Sequence, residues 1–510
     1  MTATHMRTTA LAAAGGDVDR GRGYSVRGAS LLIAAAAIVG FAACSDSNVP
    51  FFTEPTGVAN TPGGIQNAVT GLFAASRIDA GTYINWMSQF ARDQGNIQFS
   101  NPQDVLTGTG GEPIPSGDIE PWINSYRAVG AAIAIIAAVP KVQPAFTAPQ
   151  AAATAGVAQT LEALNLMQVA ETRDTLPIPI HAAADGSAGP VYCSKDAWRQ
   201  IVAILDSANN SLTTAGAIAL PFKVPPGFGA VSQTAGPSTA AGSFASFNRA
   251  LAGKANLELA YAIARGTGHS PTASTPGSPD VAALTAAQTA LTASALTAVP
   301  LTPPAPGGFS ENSAGVFWDY SSQSGDIVNP INAQGGIWQT LVGFTKDVDT
   351  VADARWLAKF VPQTHQLQIP ADLPIADTNW FYAHYPTTSS PIPIIRNENL
   401  ILYEAQVQLG LGNLAGAITL INQVHQQAGG FASALAIPST YTAVRDSLLK
   451  EQRISTVFEA SGDRTISIRM YGLQTTVDTT WGAKDLHTSL LPIPTSELGG
   501  RGGNYTATCS

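Results

Sequence analysis

Apolar residues recur at helical spacing along most of this 510-residue chain, and this periodicity limits the fold more than any other feature. Within the segment 397–429, residues 411–413 interrupt the pattern, and Gly410 and Gly412 can adopt the positive φ of a tight turn between two antiparallel helices. The spacing predicts helices over 63–78, 123–139, 148–172, 194–212, 246–266, 279–296, 397–429 and 442–459. The sequence therefore predicts a mostly α-helical protein.

Two segments, 213–243 and 297–395, depart from this pattern. They are rich in Pro, Gly, Ser and Asn and carry scattered aromatic residues. Long irregular segments inside a folded chain usually carry function. Alanine-rich helix pairs at 148–212 and 397–429 are similar to tetratricopeptide units, although the 34-residue period of that repeat is only loosely kept. We expect a scaffold of tetratricopeptide-like helix pairs with a long loop-rich insert at about 297–395.

The composition argues against one broad class of function. Hydrophobic residues make up 45% of the chain, which provides enough apolar surface for a core. Charged residues make up only 12%, the net charge is −9, and no long basic run occurs. Binding to nucleic acid needs a basic face that displaces counterions. We therefore expect no nucleic-acid partner.

The amino terminus has the layout of a secretory signal. Four arginines precede an apolar run at residues 31–43, which is too short for a membrane span of about 20 residues. Two alanines directly before Cys44 make the end of this run similar to a bacterial lipobox, with Phe41 where Leu is usual. The alternative is a chance cysteine that follows a cleaved signal.

The chain therefore divides into three predicted parts. Residues 1–43 form a lipoprotein signal peptide, and residues 44–62 form the lipid anchor and tether, with Cys44 as the lipidated residue. Residues 63–510 form a single α-helical domain. Several acyl chains on one cysteine give stable anchoring where a single chain is marginal.

Cys193 and Cys509 are the remaining cysteines. If Cys44 is acylated, they are left as a candidate disulfide in an oxidising compartment, and the alternative is two unpaired thiols. The cysteines match no zinc-binding spacing, and none of the seven histidines lies in a metal-binding motif. Nucleophile-elbow and phosphate-binding motifs are also absent from the sequence. We expect no metal, no cofactor and no enzymatic activity.

Five segments, taken in order, resemble the RagB/SusD family of nutrient-uptake outer-membrane lipoproteins. The first is the lipobox-like end at Cys44 with the helix that follows it. The others are "AQTLEALNLMQVAETRDTLPIPI" (158–180), "IIRNENLILYEAQVQLGLGNLAGAITLINQVHQQAG" (394–429), "LLKEQRISTVFEASGDRTISIRMYG" (448–472) and "LLPIPTSEL" (490–498). Their order and their coverage of nearly the whole mature chain carry the resemblance.

The resemblance implies a SusD-like helical fold and a role in nutrient capture. Proteins of this family bind an oligomer, usually a glycan and sometimes a peptide, at the cell surface. They deliver it to a TonB-dependent, SusC-like transporter in the outer membrane. The rival hypothesis is a helical-repeat envelope lipoprotein that acts in assembly or adhesion without a small ligand.

The fourth segment is rich in charged residues, which allow two interpretations. The charged set could form an acid/base site, or it could form structural ion pairs between adjacent helices. The second interpretation is favoured because the sequence shows no nucleophile with a positioned partner. The residues predicted to form structural ion pairs are Glu451, Arg453, Glu459, Arg464 and Arg469.

Aromatic residues of the early helices and of the irregular segments are the candidate ligand contacts. Aromatic rings can stack on sugar rings or peptide groups with little loss of entropy. For any one of them the alternative is packing in the core, because aromatic side chains are mostly buried. The candidates are Trp86, Trp122, Trp318, Tyr320, Trp338, Trp380, Tyr382 and Tyr385.

Overall fold

The computed structural model describes residues 61–91, 93–96, 121–180, 189–231, 234–235, 244–295, 301–303, 315–320, 338–340, 353–362, 380–476, 490–502 and 505–510. All of them belong to the unit Phe52–Ser510. The predicted signal peptide 1–43, Cys44, and the tether up to residue 60 lie outside the described residues.

The described residues are mainly helical, which confirms the predicted fold class. The helices are α1 (Pro62–Ser76), α2 (Ala80–Phe90), α3 (Ile123–Ala138), α4 (Ala148–Arg173), α5 (Ser194–Ala215), α6 (Phe244–Gly266), α7 (Val281–Ala293), α8 (Ala354–Lys359), α9 (Asn397–Gly410), α10 (Leu414–Gln427), α11 (Tyr441–Thr456), α12 (Asp463–Met470) and α13 (Thr495–Gly500). Short 3₁₀ turns cover Val139–Val142, Pro226–Val231 and Gln474–Thr476.

Local sequence signals explain where the helices begin. Thr147 caps α4 in a reciprocal capping box with Gln150, which satisfies two backbone N–H groups that have no partner inside the helix. At α5 the N-cap is Cys193, and Ser194 is the first helical residue. The side chain of Cys193 makes no capping hydrogen bond.

Consecutive helices pack against one another in sequence order. α4 packs against α3 and α5, α6 packs against α5 and α7, and α9 packs against α10 and α11. Gly156 lets α4 and α5 approach closely, because a Cβ there would lie 2.7 Å from Leu212 Cγ. This succession of packed helix pairs is the predicted tetratricopeptide-like arrangement. It buries α4 on nearly every face.

The turn between α9 and α10 uses its two glycines differently. Gly412 has a φ of +79°, as predicted, whereas Gly410 is the last residue of α9 and lies outside the positive-φ region. A Cβ at Gly410 would lie 2.8 Å from Leu284 Cδ1, so this glycine permits close packing of α9 on α7.

Short strands form four small sheets beside the helices. A four-stranded antiparallel sheet has the order β1 (Gln94–Asn96), β7 (Trp338–Thr340), β9 (Trp380–Tyr382) and β8 (Phe360–Pro362). β6 (Gly315–Trp318) pairs with β10 (Ile392–Arg396), and β4 (Ile218–Ala219) pairs with β5 (Thr234–Ala235). The last sheet joins β2 (Ile178–Pro179), β3 (Val191–Tyr192) and β11 (Ala507–Thr508). The described parts of the 297–395 insert thus contribute mainly strands.

One described helical stretch, Ile123–Val142, is long and apolar enough to cross a membrane by length and composition alone. Half of the tested window is buried inside the protein. Ala128, Ala132 and Ile135 are fully buried in the core, which is the behaviour of a core helix.

Candidate functional site

The sheet β1-β7-β9-β8, called the aromatic sheet below, collects aromatic residues from distant parts of the chain. β7 begins with Trp338, and β9 consists of Trp380, Phe381 and Tyr382. The register pairs Gln339 with Phe381, so the two strands that carry the predicted contacts are direct neighbours. Three of the predicted ligand contacts therefore lie in one sheet.

Tyr382 joins the aromatic sheet to the C-terminal helices. Its half-buried ring lies 4.3 Å from the ring of Phe458 and 5.5 Å from that of Phe360, measured between centroids. Phe458 has a φ of 58°, in the left-handed region that bulky residues rarely adopt. The Tyr385 hydroxyl donates a 2.8 Å hydrogen bond to the Phe458 carbonyl oxygen, so surrounding contacts hold this unusual backbone in place.

Trp86 lies on α2, which leads into the edge strand β1. Its ring is half-buried and stacks on Phe90, with the ring centroids 5.9 Å apart. The predicted ligand contact of Trp86 remains a prediction.

Four of the predicted ligand contacts are core residues, and the prediction is corrected for them. Trp122, Trp318, Tyr320 and Tyr385 are all buried. Trp122 has no exposed surface, and the guanidinium carbon of Arg173 lies 4.9 Å from its ring centroid. The physical reason is that large aromatic side chains contribute most to the stability of the fold when they are removed from water.

A buried cluster of charges, called the anchor cluster below, lies where the aromatic sheet meets α11. Arg355, in the first turn of α8, donates from Nη2 to Glu451 Oε2 at 2.6 Å and to Asp353 Oδ2 at 2.7 Å. Its Nη1 donates to Ser455 Oγ at 2.9 Å. These contacts fix α8, and therefore β8 directly after it, against α11.

Glu459 is the second centre of the anchor cluster. Its Oε1 accepts from Lys359 Nζ at 2.8 Å and from Arg396 Nη2 at 2.8 Å. Arg396 also donates to Glu398 Oε2 at 2.7 Å. Burial alone would raise the pKa of Glu398, but the positive charges of Arg396, Arg355 and Lys359 outweigh burial and hold this pKa at about 2.

The residues predicted to form ion pairs do so mostly with partners outside their own segment. Arg453 Nε lies 2.6 Å from Asp93 Oδ1, and Arg469 Nε lies 3.9 Å from Asp174 Oδ2. Arg464 is half-buried on α12. The sequence pattern did not indicate these partners, because they are hundreds of residues away along the chain.

The geometry of the anchor cluster favours a structural role. Its carboxylates and cations are buried and engaged with one another, which leaves them out of reach of a substrate. His384, buried beside α8, has a pKa lowered to about 3 by burial and by the charge of Lys359, so it is neutral at ordinary pH. Among the described residues, no group of three or more His, Cys, Asp or Glu side chains could hold a metal ion.

The C-terminal tail is fastened to the start of α5. A disulfide joins Cys193 and Cys509, whose Cα atoms lie 5.2 Å apart. The Cys193 backbone N–H donates to the Thr508 carbonyl at 3.2 Å, and the Ser510 N–H donates to Asp196 Oδ2 at 2.8 Å. Covalent and hydrogen bonds therefore hold β11 on β3.

The structure is similar to solved structures of SusD superfamily proteins. A surface glycan-binding protein A from Bacteroides uniformis has a TM-score of 0.61 at 13% identity, covering 87% of this chain and 98% of that chain. A SusD superfamily protein from Bacteroides vulgatus has a TM-score of 0.59 at 15% identity, covering 88% and 98%. NanU from B. fragilis has a TM-score of 0.58 at 14% identity, covering 87% and 95%.

No protein-family model matches the chain, and no curated protein matches its sequence. The similarity to the solved structures extends over nearly the whole length of each of them. The chain therefore has the SusD fold, which confirms the fold that the sequence resemblance predicts.

Proposed function

We propose that this chain is a RagB/SusD-family lipoprotein that binds an oligomeric nutrient at the cell surface without cleaving it. The observation that carries the proposal is the SusD fold over 87% of the chain, shared with a protein described as a surface glycan-binding protein. The proposed ligand is a glycan, with a peptide as the second ligand class. The proposed location is the outer membrane, through a lipid on Cys44.

The aromatic sheet is the proposed ligand-binding region. Trp338, Trp380 and Tyr382 lie in adjacent strands, and the half-buried Trp86 lies on the helix that precedes the edge strand. Aromatic side chains supply large contact areas at low entropic cost. The anchor cluster supports this role, since a binding surface gains affinity when its support is rigid before the ligand arrives.

The proposed lipid anchor would keep the protein close to its proposed partner. A binder held on the membrane stays near its SusC-like, TonB-dependent transporter, so transfer of the ligand takes place at high effective concentration. Two or more acyl chains on Cys44 would make that attachment stable.

Ligand binding is tested with panels of oligosaccharides and oligopeptides and the purified mature protein. We expect at least one panel member to bind and to be recovered intact after long incubation. The appearance of shortened products that depend on the protein would refute a purely binding role.

The lipid anchor on Cys44 is tested by fractionation of cells that express Cys44→Ala or, as a matched control, Phe41→Leu. Cys44→Ala should release the protein from the outer membrane, whereas Phe41→Leu should keep it there because Leu is the usual lipobox residue. Retention of Cys44→Ala in the outer-membrane fraction would contradict lipidation at this residue.

The rival function, a lipoprotein for envelope assembly or adhesion, is distinguished from nutrient uptake by the proteins that bind this chain. Affinity purification from the native membrane should recover a TonB-dependent transporter if the nutrient-uptake proposal is right. Recovery of assembly or adhesion proteins in its place would favour the rival.

A further inference from the structure

A second, largely buried group of charges lies between α4, α6 and α12. We call it the carboxyl chamber. Its carboxyl groups are Glu171, Asp174, Glu258 and Asp463, and its cations are Lys254, Arg265 and Arg469. Two small cavities flank Glu258 and share it as a lining residue. Nothing in the proposed function uses these groups.

The chamber carries one more carboxyl group than it has cations. Asp174 is the partner of Arg265, at 2.5 Å between Nη1 and Oδ1, and of the more distant Arg469. Lys254 is the cation shared by the three other carboxyl groups, and its Nζ lies 2.7 Å from Glu171 Oε1. Four carboxylates against three cations leave one buried negative charge, which is costly in a low-dielectric interior. A single proton would make the chamber neutral.

Two of the three carboxyl groups near Lys254 are well provided with donors. Glu171 accepts from the Tyr83 hydroxyl in addition to its ion pair with Lys254. Asp463 accepts from Asn399 Nδ2 at 2.8 Å and from the Tyr403 hydroxyl at 2.5 Å. Burial raises the pKa of Asp463 to about 6 against the opposing effect of these hydrogen bonds, so Asp463 is ionised at neutral pH.

Glu258 lacks comparable partners. Its Oε1 lies 3.9 Å from Lys254 Nζ and receives no hydrogen bond from any residue that the structure describes. Glu258 is 6% exposed, and its carboxyl group lies beside that of Glu171 around the same cation, since Lys254 Nζ is 2.7 Å from Glu171 Oε1 and 3.9 Å from Glu258 Oε1. Two carboxyl groups can form a hydrogen bond with each other only if one of them holds a proton.

We propose that Glu258 is a neutral carboxylic acid at neutral pH and donates its proton in a hydrogen bond to the Glu171 carboxylate. The proton comes from solvent when the chain folds and returns to solvent when it unfolds. The pair thereby makes the junction of α4, α6 and α12 sensitive to alkaline pH.

The electrostatic surroundings agree with this assignment. Burial, followed by the charge of Glu171, raises the pKa of Glu258 well above 4.5. Because the folded-state pKa is raised, the stabilisation is present below the unfolded value and is lost as pH rises towards the folded value. The charged or titratable groups that face Glu258 from the packed elements are Tyr83 on α2, Glu171 on α4, Asp174 directly after α4, Lys254 and Arg265 on α6, Tyr403 on α9, and Asp463 and Arg469 on α12.

Infrared spectroscopy of the folded protein tests the proposal, because a protonated carboxyl group has a carbonyl stretch separate from that of a carboxylate. Glu162, another buried glutamate with a pKa raised to about 8 by burial, would add its own signal. The parent protein for the test is therefore Glu162→Gln. At slightly alkaline pH this parent should retain one protonated-carboxyl band.

Two further substitutions in that parent decide the assignment. Glu258→Gln should remove the band. Glu171→Gln should also remove it, although Glu258 is still present, because Glu258 can then ionise and pair with Lys254. The absence of the band from the parent, or its survival in the Glu258→Gln variant, would overturn the proposal.

The Glu171→Gln variant and an alkaline titration of the parent keep the test decisive if Glu258→Gln fails to fold. In the titration the band should disappear as pH rises, together with a fall in thermal stability. A band in the Glu171→Gln variant equal to that of the parent, or a thermal stability of the parent that is constant through the loss of the band, would contradict the proposed proton sharing.

Discussion

Replacing Glu459 by Gln should destabilise the protein strongly, because Glu459 is the acceptor for two buried cations. Its Oε1 lies 2.8 Å from both Lys359 Nζ and Arg396 Nη2, and its Oε2 lies 3.0 Å from Arg396 Nε. Lys359 Nζ also donates to the backbone carbonyls of Ile454 and Ser455, but these neutral acceptors do not replace the carboxylate charge that the variant removes. Breaking a buried ion pair by removing one partner costs about 3–5 kcal/mol.

An exposed ion pair in the same protein serves as the comparison for this loss of stability. Asp206 pairs with Arg249 at 2.8 Å, but the side chain of Asp206 is 55% exposed. Asp206→Asn should therefore cost at most about 1 kcal/mol. A whole protein is typically stable by about 5–15 kcal/mol, so the two variants are readily distinguished.

Equilibrium unfolding in urea, with the midpoint and slope fitted for each variant, is the assay. Hydrogen exchange adds a local readout: Glu459→Gln should speed exchange in β8 and β9, which the anchor cluster holds against α11. The double variant Lys359→Met/Glu459→Gln should recover part of the loss, because it also removes the buried positive charge that Glu459 balances. The reasoning is refuted if Glu459→Gln costs no more than Asp206→Asn.

Three further predictions concern acid, backbone conformation and the tail. The folded-state pKa of Glu398 is lowered to about 2, so the stability that its charge contributes is present above the unfolded value of 4.5 and is lost as pH falls towards 2. In Glu398→Gln the melting temperature should therefore fall less steeply with acid than in the wild type. An unchanged acid dependence would contradict this prediction. Gly412→Ala should lower the free energy of unfolding in urea by about 1–2 kcal/mol, because Gly412 has a positive φ. Gly462→Ala should lower it further, because Gly462 also has a positive φ and a Cβ there would meet the buried Tyr83. Equal losses in the two variants would contradict this prediction. Cys193→Ser/Cys509→Ser should lower the free energy of unfolding by about 2–5 kcal/mol and expose β11 to limited proteolysis. A tail as resistant to the protease as that of the wild type would contradict this, because the hydrogen bonds alone would then hold β11 in place.

Much of the helical scaffold could be predicted because most of the long helices carry apolar residues at helical spacing. The predicted helix at 148–172 is α4, Ala148–Arg173, and the predicted break at residues 411–413 is the turn between α9 and α10. α2 was missed, although its buried residues Tyr83, Met87 and Phe90 recur at helical spacing. α12 was also missed, since it is short and polar and is buried through its ion pairs.

The candidate site could be predicted only in part. Composition singled out the aromatic residues, but it could not separate Trp122, which is in the core, from Trp86, which is half-buried. The charge pattern indicated structural ion pairing of Glu451, but not that Arg355 would be its partner. Such partners are set by the packing of distant segments, which leaves no local signal in the sequence.

The most direct test of the central claim is calorimetric titration of a ligand recovered from the panels into the wild type, Trp380→Ala and Val281→Ala. Val281 lies on α7, is 62% exposed and serves as the control for loss of surface apolar area. The account predicts that Trp380→Ala weakens binding by about tenfold or more, as for an aromatic hot spot, while Val281→Ala binds as the wild type does. Equal affinity of all three proteins would contradict binding at the aromatic sheet, and failure of every glycan and peptide to bind the wild type would contradict the proposed function itself.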